Sequence, residues 1–302
     1  MRRSDFEFLI NLLRNNAGWD FDESQYFIID KKMSAFIREH EFSSVDDVIT
    51  LLKSGNKKII SQIIEAFTFS DTYFFRDFDI FYKFKNGLLP ILKEKCRATK
   101  KLNIWSLGCS TGQETYSIAM AVDKAQNMFA DWDVNILGSD LSSAAINKAQ
   151  KGTYNNFEIQ KGLNAGDIIT YFDRDPENNL WTAHEKIKKN IEFRRYNLLD
   201  EVIVQSKFEV VFCRNVLQYF LESYQDAILH RISQKQPQGG YLYLGKNEYI
   251  PAVEKYYYKV DDVSGAYIAI GNTKTDSSVG NLSVAKADSD AMPSFIRPQN
   301  LI

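Results

Sequence analysis

The sequence predicts an α/β fold: a mostly parallel sheet with helices on its faces, preceded by an all-helical segment and interrupted by a small inserted β subdomain. Three observations carry this expectation. Residues 1 to about 85 show helical spacing of apolar residues and almost no glycine. From about 100 to 272, short apolar runs alternate with helical stretches, the texture of buried strands joined by crossover helices. Within that zone residues 152–190 are too long for a simple connection and hold a turn cluster between apolar runs.

Taken in order, Phe6, Leu9, Ile10 and Leu13 recur at i, i+3, i+4, i+7 and predict a first helix. Asp5, Glu7 and Asn11 interrupt its apolar run, so the basic start reads as an amphipathic helix and not as a signal peptide. Val45, Val48, Ile49 and Leu52 repeat the spacing, with Ser44 as a start and Gly55 as a stop. Ile59, Ile60, Ile63, Ile64 and Phe67 give another stripe. Buried strands are predicted at 102–107, 134–137, 191–193, 210–213, 241–244 and 267–270. The segment 256–260 is placed to pair with 267–270 as an antiparallel hairpin. The turn cluster Asp173-Arg174-Asp175-Pro176-Glu177-Asn178-Asn179 marks the inserted subdomain. The expected division is a helical domain at 1–85, an α/β domain at 86–272 and a mobile tail at 273–302, rich in Ser, Asp, Asn and Lys.

Composition narrows the function. Apolar residues are 44% and charged residues 25% of the 302, which excludes wholesale disorder and collagen-like repeats. The formal net charge of −2 argues against a nucleic-acid partner. Cys96, Cys109 and Cys213 are an odd, widely spaced set with no C-x-x-C, so neither a disulfide framework nor a zinc site is expected, and a reducing cytoplasmic setting is. His40, His184 and His230 show no metal-ligand spacing, and no metal is expected. No run of about 18 apolar residues exists, so no membrane insertion is expected.

Four segments carry chemistry. In Ser106-Leu107-Gly108-Cys109-Ser110-Thr111-Gly112-Gln113-Glu114 a buried strand meets a glycine turn and then a helix. Glycine lets a ligand approach the backbone, and the helix N-terminus suits an anionic or polar group. A plain strand-to-helix turn is the other reading of this G-x-x-x-G. Asp140 stands at the end of the next strand, 32 residues after Gly108, where an acid accepts ribose hydroxyls in nucleotide-binding α/β folds. Its other reading is a cap for a helix beginning at Leu141-Ser142. Cys213-Arg214-Asn215-Val216-Leu217-Gln218-Tyr219-Phe220 puts polar groups just beyond an apolar strand, and Asn197 follows Tyr196 in the same way. Ligands of open α/β sheets bind beyond such strand ends. Thr68-Phe69-Ser70-Asp71-Thr72-Tyr73-Phe74-Phe75-Arg76-Asp77, read alone, is an aromatic segment packing the two parts together, with Arg76 salt-bridged to a neighbour.

In this order and at these separations, the segments resemble the CheR family over roughly residues 5 to 270. Members are S-adenosylmethionine-dependent methyltransferases that esterify glutamates of chemotaxis receptors. Residues 70–76 are similar to the family's T-N-x-T-x-F-F-R, 106–117 to its S-x-x-x-S-T-G-x-E-x-Y-S and 213–220 to its C-R-N-V-x-x-Y-F. The resemblance implies a helical N-terminal domain and a class I, Rossmann-like methyltransferase domain with an inserted β subdomain. It implies S-adenosylmethionine as cofactor, S-adenosylhomocysteine as product, and chemoreceptor cytoplasmic helices as the protein substrate of a monomeric enzyme. Ser70, Thr72, Arg76, Gly108, Glu114, Asp140, Asn197, Leu198, Arg214 and Asn215 would line the cofactor site. Glu114 would meet the ammonium, Asp140 the ribose, and Asn197 and Leu198 the adenine. Arg76 and Tyr219 would be catalytic, orienting carboxylates rather than moving protons, because a glutamate with a reference pKa of about 4.3 is already ionised; the other reading of Tyr219 is a packed aromatic beside Phe220.

This chain departs from the family pattern at three points. Phe69 and Ser70 stand where the family has Thr and Asn, and Gln113 replaces the first acid of G-E-E. The stretch Asp30-Lys31-Lys32-Met33-Ser34-Ala35-Phe36-Ile37-Arg38-Glu39-His40 is only mildly basic, where many relatives carry a strongly basic helix facing the receptor. These departures leave two alternatives, an S-adenosylmethionine-binding regulatory module that has lost catalysis and a methyltransferase for a non-receptor substrate. Some members hold a receptor's C-terminal tether on the β subdomain with a glycine-containing loop. No glycine occurs from Asp167 to Gln238, and no tether capture is expected.

Overall fold

The computed structural model describes residues 1–69, 71–201, 206–260 and 265–270. Ser70 and the tail expected at 273–302 lie outside the described residues.

Four helices open the chain: α1 (Arg3–Ala17), α2 (Tyr26–Glu39), α3 (Val45–Lys53) and α4 (Lys57–Phe67). Their stripes meet in one core, with Leu9 and Leu13 against Ile29, Met33, Val48, Ile63 and Phe67. Ser44 Oγ accepts the Asp47 N–H at 3.2 Å, and Gly55 sits in the left-handed region just past α3, as the sequence predicts. The chain then passes through the loop holding Arg76 into α5 (Phe78–Lys83), a π-helical turn (Phe84–Leu88) and α6 (Leu89–Lys95).

The α/β part follows as β1 (Lys101–Leu107), α7 (Gln113–Lys124), α8 (Gln126–Phe129), β2 (Asp133–Asp140) and α9 (Ser143–Lys151). An inserted unit comes next: β3 (Thr153–Asn155), α10 (Asn156–Gln160), α11 (Ala165–Tyr171), β4 (Phe172–Asp175), β5 (Leu180–Ala183) and α12 (Glu185–Lys188). The chain closes with β6 (Ile191–Arg195), β7 (Val210–Phe212), α13 (Glu222–Gln234), β8 (Tyr241–Tyr243), β9 (Tyr257–Lys259) and β10 (Ala266–Ala269).

The main sheet has the order β6-β2-β1-β7-β8-β10-β9. Its first five strands are parallel, and β10 runs antiparallel to both β8 and β9. The predicted terminal hairpin therefore forms. Alternate residues feed two cores, Ile104, Phe212 and Tyr241 on one face and Trp105, Val211 and Leu242 on the other. The second core continues into the four N-terminal helices. The inserted unit is a three-stranded antiparallel sheet, β3-β5-β4. It also carries short helices that the sequence reading passed over. Asn155 and Asn164 cap two of them, accepting the N–H groups of Glu158 and Asp167.

The chain steps from β1 to β2 to β6 on one side, then returns to place β7 on the other side of β1. Such a reversal of strand order opens a crevice beyond the carboxyl ends of the strands. The N-terminal helices close one wall of it. Trp19 bridges Phe220, the Asp20 N–H donates to the Tyr219 carbonyl at 2.8 Å, and the Leu221 N–H donates to the Gly18 carbonyl at 3.1 Å.

Candidate functional site

One cleft at these strand ends gathers ten of the residues singled out in the sequence. The loop before α5, the turn after β1, the start of α7 and the end of β2 bring Thr72, Arg76, Gly108, Glu114 and Asp140, while the segments after β6 and β7 bring Asn197, Leu198, Arg214, Asn215 and Tyr219.

The glycine turn has two local causes. Gly108 has φ +67°, and a Cβ there would come within 2.5 Å of Val216 Cγ2, so the loop after β7 packs directly on the turn. Gly112 has φ +98° and lies against Ala149 of α9. Between them Ser110 takes a left-handed backbone despite its side chain. That geometry aims its N–H at Asp140 Oδ2, 2.8 Å away, while Asp140 Oδ1 accepts the Ser142 N–H at 2.9 Å. The structure bears on the capping reading of Asp140 alone. Asp140 borders the cleft and takes one amide near the start of α9, but the side-chain cap of α9 is Ser142. Burial pushes the Asp140 carboxyl above its ordinary value, against the pull of the backbone donors.

Glu114 stands in the first turn of α7. It accepts Ser106 Oγ at 2.8 Å and Arg214 Nη1 at 3.0 Å. Burial raises its pKa, and Arg214 and Ser106 oppose the rise. The Arg214 side chain is only 1% exposed. Its Nη2 donates to Asp77 Oδ2 at 2.6 Å and to the Arg76 carbonyl at 2.8 Å. Arg214 thus ties three segments together and bears on the cleft through Glu114.

Sequence reasoning missed Glu248. Its carboxylate accepts four backbone N–H groups: Oε2 takes those of Asn215 and Gly245, and Oε1 those of Val216 and Gln218, at 2.7–3.1 Å. The loop that carries Asn215, Val216 and Tyr219 is built around this acid. Burial pushes its carboxyl up while the four donors pull it down. A lone acid in the turn after β8 gives no sequence signal for such a role.

Asn197 Nδ2 donates to the Asn16 carbonyl at 3.1 Å, and its Oδ1 accepts the Leu199 N–H at 3.0 Å, so it joins the end of α1 to the cleft. Leu198 is fixed through its carbonyl by Arg231 Nη2 at 2.6 Å. The segment before α5 is a loop, not a helix, anchored by buried Phe74 and Phe75 and by the Phe75 N–H donating to Ser117 Oγ at 2.9 Å. Arg76 Nη1 donates to the Asp71 carbonyl at 2.7 Å, and its guanidinium lies 5.8 Å from the Tyr73 ring centroid. The neighbour expected to pair with Arg76 is Asp71, at 3.9 Å.

Three side-chain atoms of cleft residues are buried with no hydrogen-bond partner in the protein: the donor Arg214 Nε and the two oxygens Ser110 Oγ and Asn215 Oδ1. A buried polar atom without a partner is costly, and a polar ligand removes the cost. With the carboxylates of Glu114 and Asp140 the two oxygens offer acceptors for hydroxyls and for a cation, a set that fits S-adenosylmethionine. Among the described residues no group of three or more His, Cys, Asp or Glu is placed to hold a metal.

A family model described as the CheR methyltransferase, SAM binding domain, matches residues 70–265. The chain belongs to the CheR methyltransferase family. Its CheR domain uses S-adenosylmethionine as cofactor. Chemotaxis protein methyltransferase 1 of Pseudomonas aeruginosa is 30% identical over 260 residues, 85% of this chain and 94% of that one. Chemotaxis protein methyltransferase Cher2 of Pseudomonas putida gives the same identity and coverage. A chemotaxis protein methyltransferase of Borreliella burgdorferi is 30% identical over 251 residues, 80% of this chain and 87% of that one.

Proposed function

We propose that this CheR protein transfers a methyl group to glutamate side chains of chemoreceptor cytoplasmic helices, and that the cleft described above is its cofactor site. The observation that carries the reading is the convergence of Arg76, Glu114, Asp140 and Tyr219 on one cleft. The names of the relatives support the receptor substrate. The reading places the protein in the cytoplasm as a monomer, which suits three free cysteines. Among the described residues, no helix is long and apolar enough to cross a membrane.

When bound, S-adenosylmethionine supplies a methyl group activated by a sulfonium. Glu114 would hold its ammonium, with Arg214 and Ser106 fixing the carboxylate's orientation. Asp140 would accept the ribose hydroxyls, Ser110 Oγ and Asn215 Oδ1 would take polar edges, and Asn197 and Leu198 would border the adenine. Gly108 and Thr72 complete the wall. No residue needs to remove a proton from a glutamate, because a carboxylate with a reference pKa of about 4.3 is ionised near pH 7. The residues at the mouth then act by position. Arg76 directs a carboxylate, and Tyr219 donates a hydrogen bond that leaves one carboxylate lone pair free to attack.

The test is incubation with tritiated S-adenosylmethionine and receptor cytoplasmic fragments. Base-labile label on glutamate is expected. Label that survives base, or none at all, overturns the reading.

A further inference from the structure

The inserted subdomain presses on the Arg76 segment at one turn. Gly162 has φ +98°, and a Cβ there would run into the Phe74 carbonyl oxygen. The bare glycine lets this turn lie against the backbone of the segment and sets the preceding residue, Lys161, over Tyr73. Lys161 Nζ is 4.5 Å from the centroid of that ring, and the Arg76 guanidinium is 5.8 Å from the same centroid. Lys161 Nζ also lies 3.5 Å from Asp71 Oδ1, with Arg76 Nη2 3.9 Å from Asp71 Oδ2. Two cations thus share one aromatic ring and one carboxylate.

The shared carboxylate is a weak partner. Asp71 is 73% exposed, and the side chain of Lys161 is 42% exposed. Long, solvated ion pairs of this kind contribute little. Arg76 does not depend on it, because Nη1 is held by the Asp71 backbone carbonyl. An incoming carboxylate can therefore replace Asp71 on Lys161 without disturbing Arg76.

We infer that Lys161 is a specificity-determining residue, which binds a substrate carboxylate other than the one methylated and so favours a glutamate with a second acidic side chain close by. The inference rests on the reading of this protein as a glutamate methyltransferase. It assigns the inserted subdomain a direct share in recognising the substrate, through a side chain that reaches Asp71 of the cleft lining.

The experiment is steady-state methylation of a receptor cytoplasmic fragment by the full chain and its variants. Lys161→Ala should raise KM for the fragment about fivefold, the scale of one exposed charge pair, with kcat and cofactor affinity unchanged. Lys161→Arg should restore KM. Asp71→Asn, which keeps the carbonyl on Arg76, should lower it. Changing the acidic neighbours of the target glutamate to glutamine should raise KM for the unaltered enzyme and leave that of Lys161→Ala where it was. An active enzyme whose KM ignores Lys161→Ala overturns this inference alone. An enzyme that labels no glutamate overturns the proposed function and this inference with it.

Discussion

Phe69 lies flat against Tyr219, with ring centroids 4.1 Å apart and planes 7° from parallel. The stack joins the end of the helical N-terminal region to the loop after β7. Trp19 and Phe21 close around Phe69 at 6.2 and 5.8 Å. Lys32 Nζ sits 5.6 Å from the Phe69 centroid and donates to the carbonyls of Ala66 and Thr68. The residue that departs from the family's threonine therefore builds the support under Tyr219. Phe69→Ala should lower stability by about 1–3 kcal/mol, through lost stacking and a partial cavity. Tyr219→Phe keeps the stack and removes only the hydroxyl. It should slow methyl transfer while leaving the melting temperature and cofactor affinity near those of the unaltered protein. Thermal melts with single-turnover methylation distinguish the two effects.

Glu114 and Asp140 should dominate cofactor affinity. Loss of a buried charged partner costs on the order of 2–3 kcal/mol, or roughly 30- to 150-fold. Asp140→Ala and Glu114→Gln measured by calorimetry test this, the latter sparing Arg214 a fully unpaired contact. The pH dependence has a definite sign. Burial holds both carboxyls above their ordinary 3.8 and 4.5, and the proposed cofactor contacts call for the ionised forms. Affinity should therefore begin to fall at a higher pH than ordinary carboxyls would give as solutions are acidified. The same shift acts oppositely on folding. A carboxyl with a raised folded-state pKa favours the fold as pH falls through that pKa and costs stability above it. Asp140→Asn should remove its share of both dependences.

The central strands were legible because they are buried on both faces, which produces short continuous apolar runs such as Ile104-Trp105 and Val210-Val211-Phe212. Their ends were less so. β2 runs on to Asp140 because Gly138 has no side chain to clash with Phe193 of β6, a contact no local pattern reveals. The cleft was legible where strand-end motifs place polar groups after apolar runs, as at Gly108, Asp140 and Arg214. Partners distant in sequence were hidden. Asp77 reaches Arg214 across 137 positions and Glu248 reaches Asn215 across 33. The Phe69–Tyr219 stack requires the docking of two regions, and neither segment signals it alone.

Glu248 should matter to stability more than its position in a turn suggests. Removing its carboxylate leaves four N–H groups to find new partners, and each unsatisfied buried donor costs about 1–3 kcal/mol. Glu248→Ala should lose about 3 kcal/mol or more. Glu248→Gln should also be harmful, because an amide NH₂ in place of one oxygen faces two N–H donors. Chemical denaturation of both variants gives the answer, and a wild-type midpoint for either removes the clamp.

Capture of a receptor tether on the inserted sheet is not expected. In the order β3-β5-β4 the outer edge of β4 is available, but strand addition needs close backbone approach at the adjoining turn. That turn has side chains throughout, and its left-handed position is Asn179 instead of a glycine. Titration with a receptor C-terminal pentapeptide should show no binding at micromolar concentration.

Arg76 should carry the chemistry. The reaction neutralises charge as the carboxylate becomes an ester, so a tight ion pair with the attacking oxygen would stabilise the ground state more than the transition state. The geometry avoids this. Nη1 is committed to the Asp71 carbonyl, and the guanidinium lies beside Tyr73, 5.8 Å from its ring centroid. A planar fork held in this way can align a carboxylate without closing on both of its oxygens. Arg76→Ala should lower single-turnover methylation at saturating cofactor by about 100-fold or more, on the order of 3 kcal/mol. Arg76→Lys should rescue poorly, because a point charge reproduces neither the fork nor the hold on Asp71. The Asp77 and Glu114 pairs of Arg214 are separate bonds, so the fold should survive both changes, and melting temperatures check this. A near-normal rate for Arg76→Ala would leave Arg76 as a bond within its own loop and shift the positioning of the substrate to Tyr219.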